Sequence, residues 1–157
     1  MRQVLLAAAL IALGSIGVAT VGSAADSGPW IVVKDPWLRA TPNGAKVAGG
    51  YVTITNTGKT ADMLVAASIA VAPTGEIHTM SMENGVMHMG RLDHGLAIPP
   101  GATVTLKPGG DHLMFLDPTA PIKEGVSVIG SLTFAKAGVM PVAFAVGGMA
   151  AKAAPAH

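Results

Sequence analysis

Four of the five histidines in this chain (His78, His88, His94, His112) and five of its nine methionines (Met80, Met82, Met87, Met89, Met114) fall between Glu76 and Phe115. Imidazole nitrogen and thioether sulfur are both neutral donors. The thioether is also soft, which suits Cu(I) and is a poor match for hard cations such as Mg(II) or Ca(II). Asn84-Gly85 sits inside the window, and Asn-Gly is the strongest short hairpin signal, because a type I′ turn needs positive φ at both central residues. A hairpin on that turn pairs Glu83 with Val86, Met82 with Met87 and Met80 with Met89. Side chains alternate along a strand. His78, Met80, Met82, Met87 and Met89 therefore share one side, and Thr79 and His88 point to the other. His78 then lies diagonal to Met89, at roughly 7–8 Å between backbones, which long side chains can bridge through a shared ion.

A second segment repeats the pattern. In His112-Leu113-Met114 the imidazole and the thioether project together, while Leu113 faces the core. Two His and two Met make a four-coordinate neutral site for Cu(I). With no thiolate and no cluster of carboxylates, the chain offers neither a blue-copper centre nor a hydrolytic zinc site. Neutral ligands leave the complex at +1, which an exposed edge accommodates without a buried counter-charge. The competing reading is packing, since methionine fills gaps in cores. For Met80, Met82 and Met87 both readings stand open. Packing is the weaker reading for His112 and Met114, which follow the Pro108-Gly109-Gly110 turn at an expected rim.

The elements that position these donors read as strands. Short apolar runs separated by Gly, Pro and Asn signals predict strands at Trp30–Lys34, Trp37–Ala40, Gly50–Asn56, Met63–Ile69, Glu76–Met82, Val86–Leu92, Thr103–Leu106, His112–Leu116, Val126–Phe134 and Met140–Val146. Turns are expected at Pro42-Asn43-Gly44, Asn56-Thr57-Gly58, Asn84-Gly85, Pro99-Pro100-Gly101, Pro108-Gly109-Gly110 and Asp117-Pro118. The expected fold is an all-β antiparallel sandwich in a single domain over residues 26–149, with residues 150–157 a low-complexity tail that frays. Arg39 and Asp35 are expected to form an ion pair, and Asp62 and Glu83 to serve turns and solubility.

Composition narrows the function further. The 157 residues include no cysteine, which removes disulfide scaffolds, thiol catalysis and iron–sulfur chemistry. Arg2 precedes an uncharged run from Val4 to Val21 that ends in Gly22-Ser23-Ala24-Ala25, the shape of a cleaved signal peptide over residues 1–25. A retained anchor is the alternative, since the run is about long enough to span a bilayer. Without Arg2 the nine remaining basic residues balance the nine acidic ones and are scattered singly, which argues against a nucleic-acid partner. The expected molecule is exported to the periplasm, without a stable membrane anchor, and monomeric.

These residues carry a family resemblance. Ten residues separate His78 from Met89 and 22 separate Met89 from His112, which with Met114 completes a His-x-Met. That pattern resembles the periplasmic copper(I) chaperones known as PCuAC. The likeness extends to Trp37–Pro42, Gly50–Asn56, Glu76–Met80 and Leu106–Met114. It implies a cupredoxin-like β-sandwich that carries Cu(I) on His78, Met89, His112 and Met114, with Met80 as a further transient donor. It also implies delivery to the copper-bearing subunit of cytochrome c oxidase, beside a thiol-bearing copper chaperone, and a protein that is not an enzyme. Asp93, His94 and Ser81 form no nucleophile motif. The alternatives from other classes are a periplasmic protein that sequesters Cu(II) and a structural β-sandwich that binds no metal.

Overall fold

The computed structural model describes residues 30–156, so the expected signal segment lies outside the described residues. Ten strands follow in order: β1 (Ile31–Arg39), β2 (Val47–Asn56), β3 (Asp62–Ile69), β4 (Ala72–Glu83), β5 (Val86–Arg91), β6 (Leu96–Ile98), β7 (Thr103–Leu106), β8 (His112–Leu116), β9 (Ser127–Phe134) and β10 (Gly138–Gly147). No α-helix occurs among the described residues. The ladder runs β5-β4-β8-β2-β1-β10-β9-β3-β6, and β4 also pairs with β3. That second pairing closes the sheet into a flattened barrel, with β5, β6 and β7 added at its rims. Closure leaves no open edge among the seven strands of the barrel, whereas β5, β6 and β7 each pair on one side only.

Alternation along the strands builds the core. Leu113 and Phe115 on β8, Ile77 on β4, Ile54 on β2, Leu64 on β3, and Phe134 and Phe144 on the β9–β10 hairpin are almost wholly buried. Phe115 and Phe144 meet edge-on at 5.9 Å, a favoured aromatic geometry. The residues between them face outward, which places His112 and Met114 of β8 and His78 of β4 on the outer surface of the barrel wall.

Several expectations are corrected. The two strands expected around Asp35-Pro36 are one bulged strand, β1, whose pairing with β2 shifts register between Lys34 and Trp37. Asp35 takes a φ of 48° there, and Pro36, which has no N–H to donate, sits in the bulge. One pair in the otherwise antiparallel ladder, β1 with β10, is parallel. The short β6 was not expected, because three residues carry too little periodicity. The tail does not fray at Ala151. Its N–H donates to Gly148 O at 3.0 Å, and its carbonyl accepts a 2.9 Å bond from Arg39 Nε. Arg39 therefore pairs with the tail rather than with Asp35, and its guanidinium lies 5.7 Å from the centre of the Tyr51 ring. Asp62 is buried rather than a solubilising surface residue.

Gly75 is where β3, β4 and β8 meet. A Cβ there would stand 2.5 Å from Ala67 O and 2.9 Å from the Phe115 ring. Neither backbone nor a packed aromatic can give way cheaply. Gly75→Ala is expected to cost about 1–3 kcal/mol of stability, the usual penalty of overpacking, read as a fall in the urea midpoint at unchanged slope. An unchanged midpoint would mean that the β3–β4 closure is not tightly packed.

Candidate metal centre

The Asn84-Gly85 hairpin forms as expected, with φ of 50° and 79° at its two turn residues. Its register pairs Glu83 with Val86, Met82 with Met87, Met80 with Met89 and His78 with Arg91. On the other side of β4, His78 stands directly across from His112, and Glu76 across from Met114. Three adjacent strands thus bring Met89 (β5), His78 and Met80 (β4), and His112 and Met114 (β8) onto one face. His88 pairs with Ser81 and points to the opposite face of the hairpin. Met82, Met87 and Met89 are exposed, so packing into the core is not their role.

Each imidazole is held by one ring nitrogen, leaving the other free. His78 Nε2 lies 2.8 Å from Glu76 Oε2, and an ionised carboxylate can only accept. Nε2 therefore carries the proton, and Nδ1 presents a lone pair. That Nδ1 is buried and has no hydrogen-bond partner. His112 is the converse case. Its Nδ1 is 2.9 Å from Gly110 O, and since a carbonyl can only accept, Nδ1–H donates and Nε2 is left as the donor atom. The two rings stand 5.7 Å apart, centre to centre. With metal–nitrogen bonds of about 2 Å, one ion can reach both.

Sequence reasoning missed Glu76 as a positioning residue. Its side chain is largely buried, with Oε2 on His78 and Oε1 2.7 Å from Arg91 Nη1, while Arg91 Nε reaches Asp93 at 3.2 Å. The available signal was its place two residues before His78, on the same strand face. Groups that orient a ligating histidine typically change metal affinity by 10–100-fold when removed. Glu76→Gln is expected to weaken Cu(I) binding about tenfold and Glu76→Ala nearer 100-fold, measured by competition with a Cu(I) chelator. Unaltered binding in Glu76→Ala would show that His78 needs no such support.

An open cleft of about 270 Å³ is lined by Met80, Met89 and His112 together with Arg39, Tyr51, Pro108 and Gly109; His78 is not part of its lining. Met114 does not line it. It stands on the other side of the histidine pair, directly across from Glu76. Burial pushes the Tyr51 hydroxyl pKa up, and the nearby Arg39 guanidinium partly offsets this. The phenol therefore stays neutral at physiological pH. Among the described residues no three His, Asp or Glu side chains converge as a metal site. An ion bound here would need the thioethers.

Fold and site together define a small closed β-barrel with soft nitrogen and sulfur donors gathered on its outer wall. Residues 31–146 match the family described as "LpqE-like: Putative lipoprotein LpqE-like". A protein of Leifsonia xyli subsp. xyli described as "Putative lipoprotein Lxx21020" is 31% identical over 146 residues, covering 91% of this chain and 87% of its own length. Among solved structures, the copper-bound PCuAC domain from PmoF2 matches with a TM-score of 0.65 at 28% identity, over 76% of this chain and 93% of that one. The solution structure of CuI-DR1885 from Deinococcus radiodurans matches with a TM-score of 0.59 at 27% identity, over 79% and 82%. The chain belongs to the LpqE-like family, the family of the PCuAC domains.

Proposed function

We propose that this chain is a copper chaperone that binds Cu(I) as cargo through His78 Nδ1, Met89, His112 Nε2 and Met114, with Met80 as an additional transient donor. The observation that carries the reading is the buried, unpartnered Nδ1 of His78, on a ring whose other nitrogen is held by Glu76 and whose centre lies 5.7 Å from that of His112. A buried polar atom without a partner is costly; a bound cation would satisfy it. The copper bound by the PmoF2 domain and by DR1885 of Deinococcus radiodurans supports the choice of metal.

Binding on an outer wall suits a carrier. The imidazoles are fixed by hydrogen bonds, whereas Met89 is exposed on the rim strand β5. Thiolates of an acceptor can enter as the weaker thioethers leave, so the ion is never fully released. The acceptors we propose are the copper-bearing subunit of cytochrome c oxidase and a thiol-bearing copper chaperone. We place the protein in the periplasm, exported by residues 1–25. The name of the Leifsonia xyli relative points to export as well, although this sequence has no cysteine to carry a lipid.

The test is to load the protein with Cu(I), count the metal and examine its first shell by X-ray absorption. One copper with both nitrogen and sulfur neighbours is the expected result. A shell of nitrogen and oxygen alone would return the reading to Cu(II) sequestration, and absence of stoichiometric copper to a structural sandwich.

A further inference from the structure

The sequence contains two Met-x-Met motifs, Met80-Ser81-Met82 and Met87-His88-Met89, on either side of the Asn84-Gly85 turn. The hairpin register sets them face to face, Met80 opposite Met89 and Met82 opposite Met87, with all four side chains on one side. The metal centre described above uses Met89 and leaves the outer pair without a role. Met82 is 64% exposed and Met87 48%. None of the four belongs to the hydrophobic core or packs against it.

From this placement we propose a second soft-cation site on the hairpin, made by the thioethers of Met80, Met82 and Met87, which takes Cu(I) or Ag(I). Cross-strand partners hold their Cβ atoms about 4.5–5.5 Å apart, and methionine has three rotatable bonds. Three sulfurs on this lattice can close around one ion. The donors are neutral and soft. Glu83 and His88 lie on the opposite face, so no hard ligand competes. If the face served only apolar contact, the β-branched residues that favour strands would fill it. The hairpin instead places its one valine, Val86, on the other face. The onward step rests on the function proposed above: Met89, opposite Met80 and diagonal to His78, would receive the ion from the hairpin and pass it to the histidines. The hairpin site itself does not depend on that reading.

The experiment titrates Ag(I), a redox-inert soft cation, into the protein labelled at the methionine methyl groups and follows their NMR shifts. The expected result is a first equivalent that moves Met89 and Met114 and, as a transient co-donor, Met80, and a weaker second equivalent that moves Met82 and Met87 and shifts Met80 further. Leucine conserves volume at exposed positions, so the double variant Met82→Leu/Met87→Leu is expected to fold normally, lose the second equivalent and keep the first. In His112→Ala the hairpin methyls are still expected to respond, which separates this site from the fate of the histidine centre. Saturation of the wild type with the Met82 and Met87 methyls unmoved would overturn the proposal. So would survival of the second equivalent in the double leucine variant, or loss of the hairpin response in His112→Ala.

Discussion

Replacing either His78 or His112 by Ala is expected to weaken Cu(I) binding by more than about 100-fold, beyond what loss of an outer-sphere partner costs, while His88→Ala leaves affinity unchanged. The difference follows from the register. His78 and His112 are direct cross-strand neighbours with 5.7 Å between ring centres, whereas His88 sits opposite Ser81 on the other face of the hairpin. Each of the first two rings has one nitrogen committed to a partner and one left for an ion. Removing one ring deletes a donor and leaves the other imidazole with thioethers alone, which bind too weakly to hold Cu(I) against a chelator. Competition titrations of the three variants under one set of conditions make the comparison. Equal losses in all three would mean that the face assignment is wrong, and a loss confined to His88→Ala would invert it.

The hairpin was legible because its information is local. Asn84-Gly85 sets the turn, period-two alternation sets the face, and the pairs Met80–Met89 and Met82–Met87 follow by counting. The alternation in His112-Leu113-Met114 was legible for the same reason: Leu113 is fully buried, and its two neighbours face outward. Whatever depends on which strands become neighbours was not legible. That His78 faces His112 requires β4 to pair with β8, and no residue type marks that pairing. The role of Glu76 follows only once β4, β5 and β8 lie side by side, since its two oxygens reach His78 on its own strand and Arg91 on the next. The same holds for the parallel β1–β10 pair and for the contact of Arg39 with the tail, whose partners are more than a hundred residues apart. Asp35 and Arg39 looked like an ion pair because they are close in sequence. The bulge at Asp35 and the carbonyl of Ala151 gave Arg39 a different partner.

Asp62 carries the largest stability effect we expect from one polar side chain. Its Oδ1 accepts from Met63 N at 2.8 Å and from Lys136 N at 2.8 Å, and its Oδ2 from Ala137 N at 2.9 Å. One buried carboxylate thus ties the start of β3 to the turn joining β9 and β10, across more than seventy residues. Asp62→Ala would leave these three N–H groups without their acceptor. At about 1–3 kcal/mol for each buried group left unsatisfied, a loss of about 3 kcal/mol or more is expected. Asp62→Asn keeps one acceptor oxygen but sets its amide N–H₂ against a backbone N–H, so it should fall between Ala and the wild type. The pH dependence has a fixed sign. Burial raises the Asp62 pKa, but the backbone N–H groups of Met63, Lys136 and Ala137, together with the Trp30 side chain, outweigh it and hold the carboxyl below its ordinary value. A depressed folded-state pKa contributes stability that is fully present above the unfolded value of about 3.9 and is lost as pH falls through the lower, folded-state value. The gap in unfolding free energy between wild type and Asp62→Asn should therefore be constant from neutral pH down to about 5 and narrow below about 4. Urea unfolding of both proteins across that range measures it. A gap that stays constant into acid would show that the charge of Asp62 contributes nothing beyond its hydrogen-bonding shape.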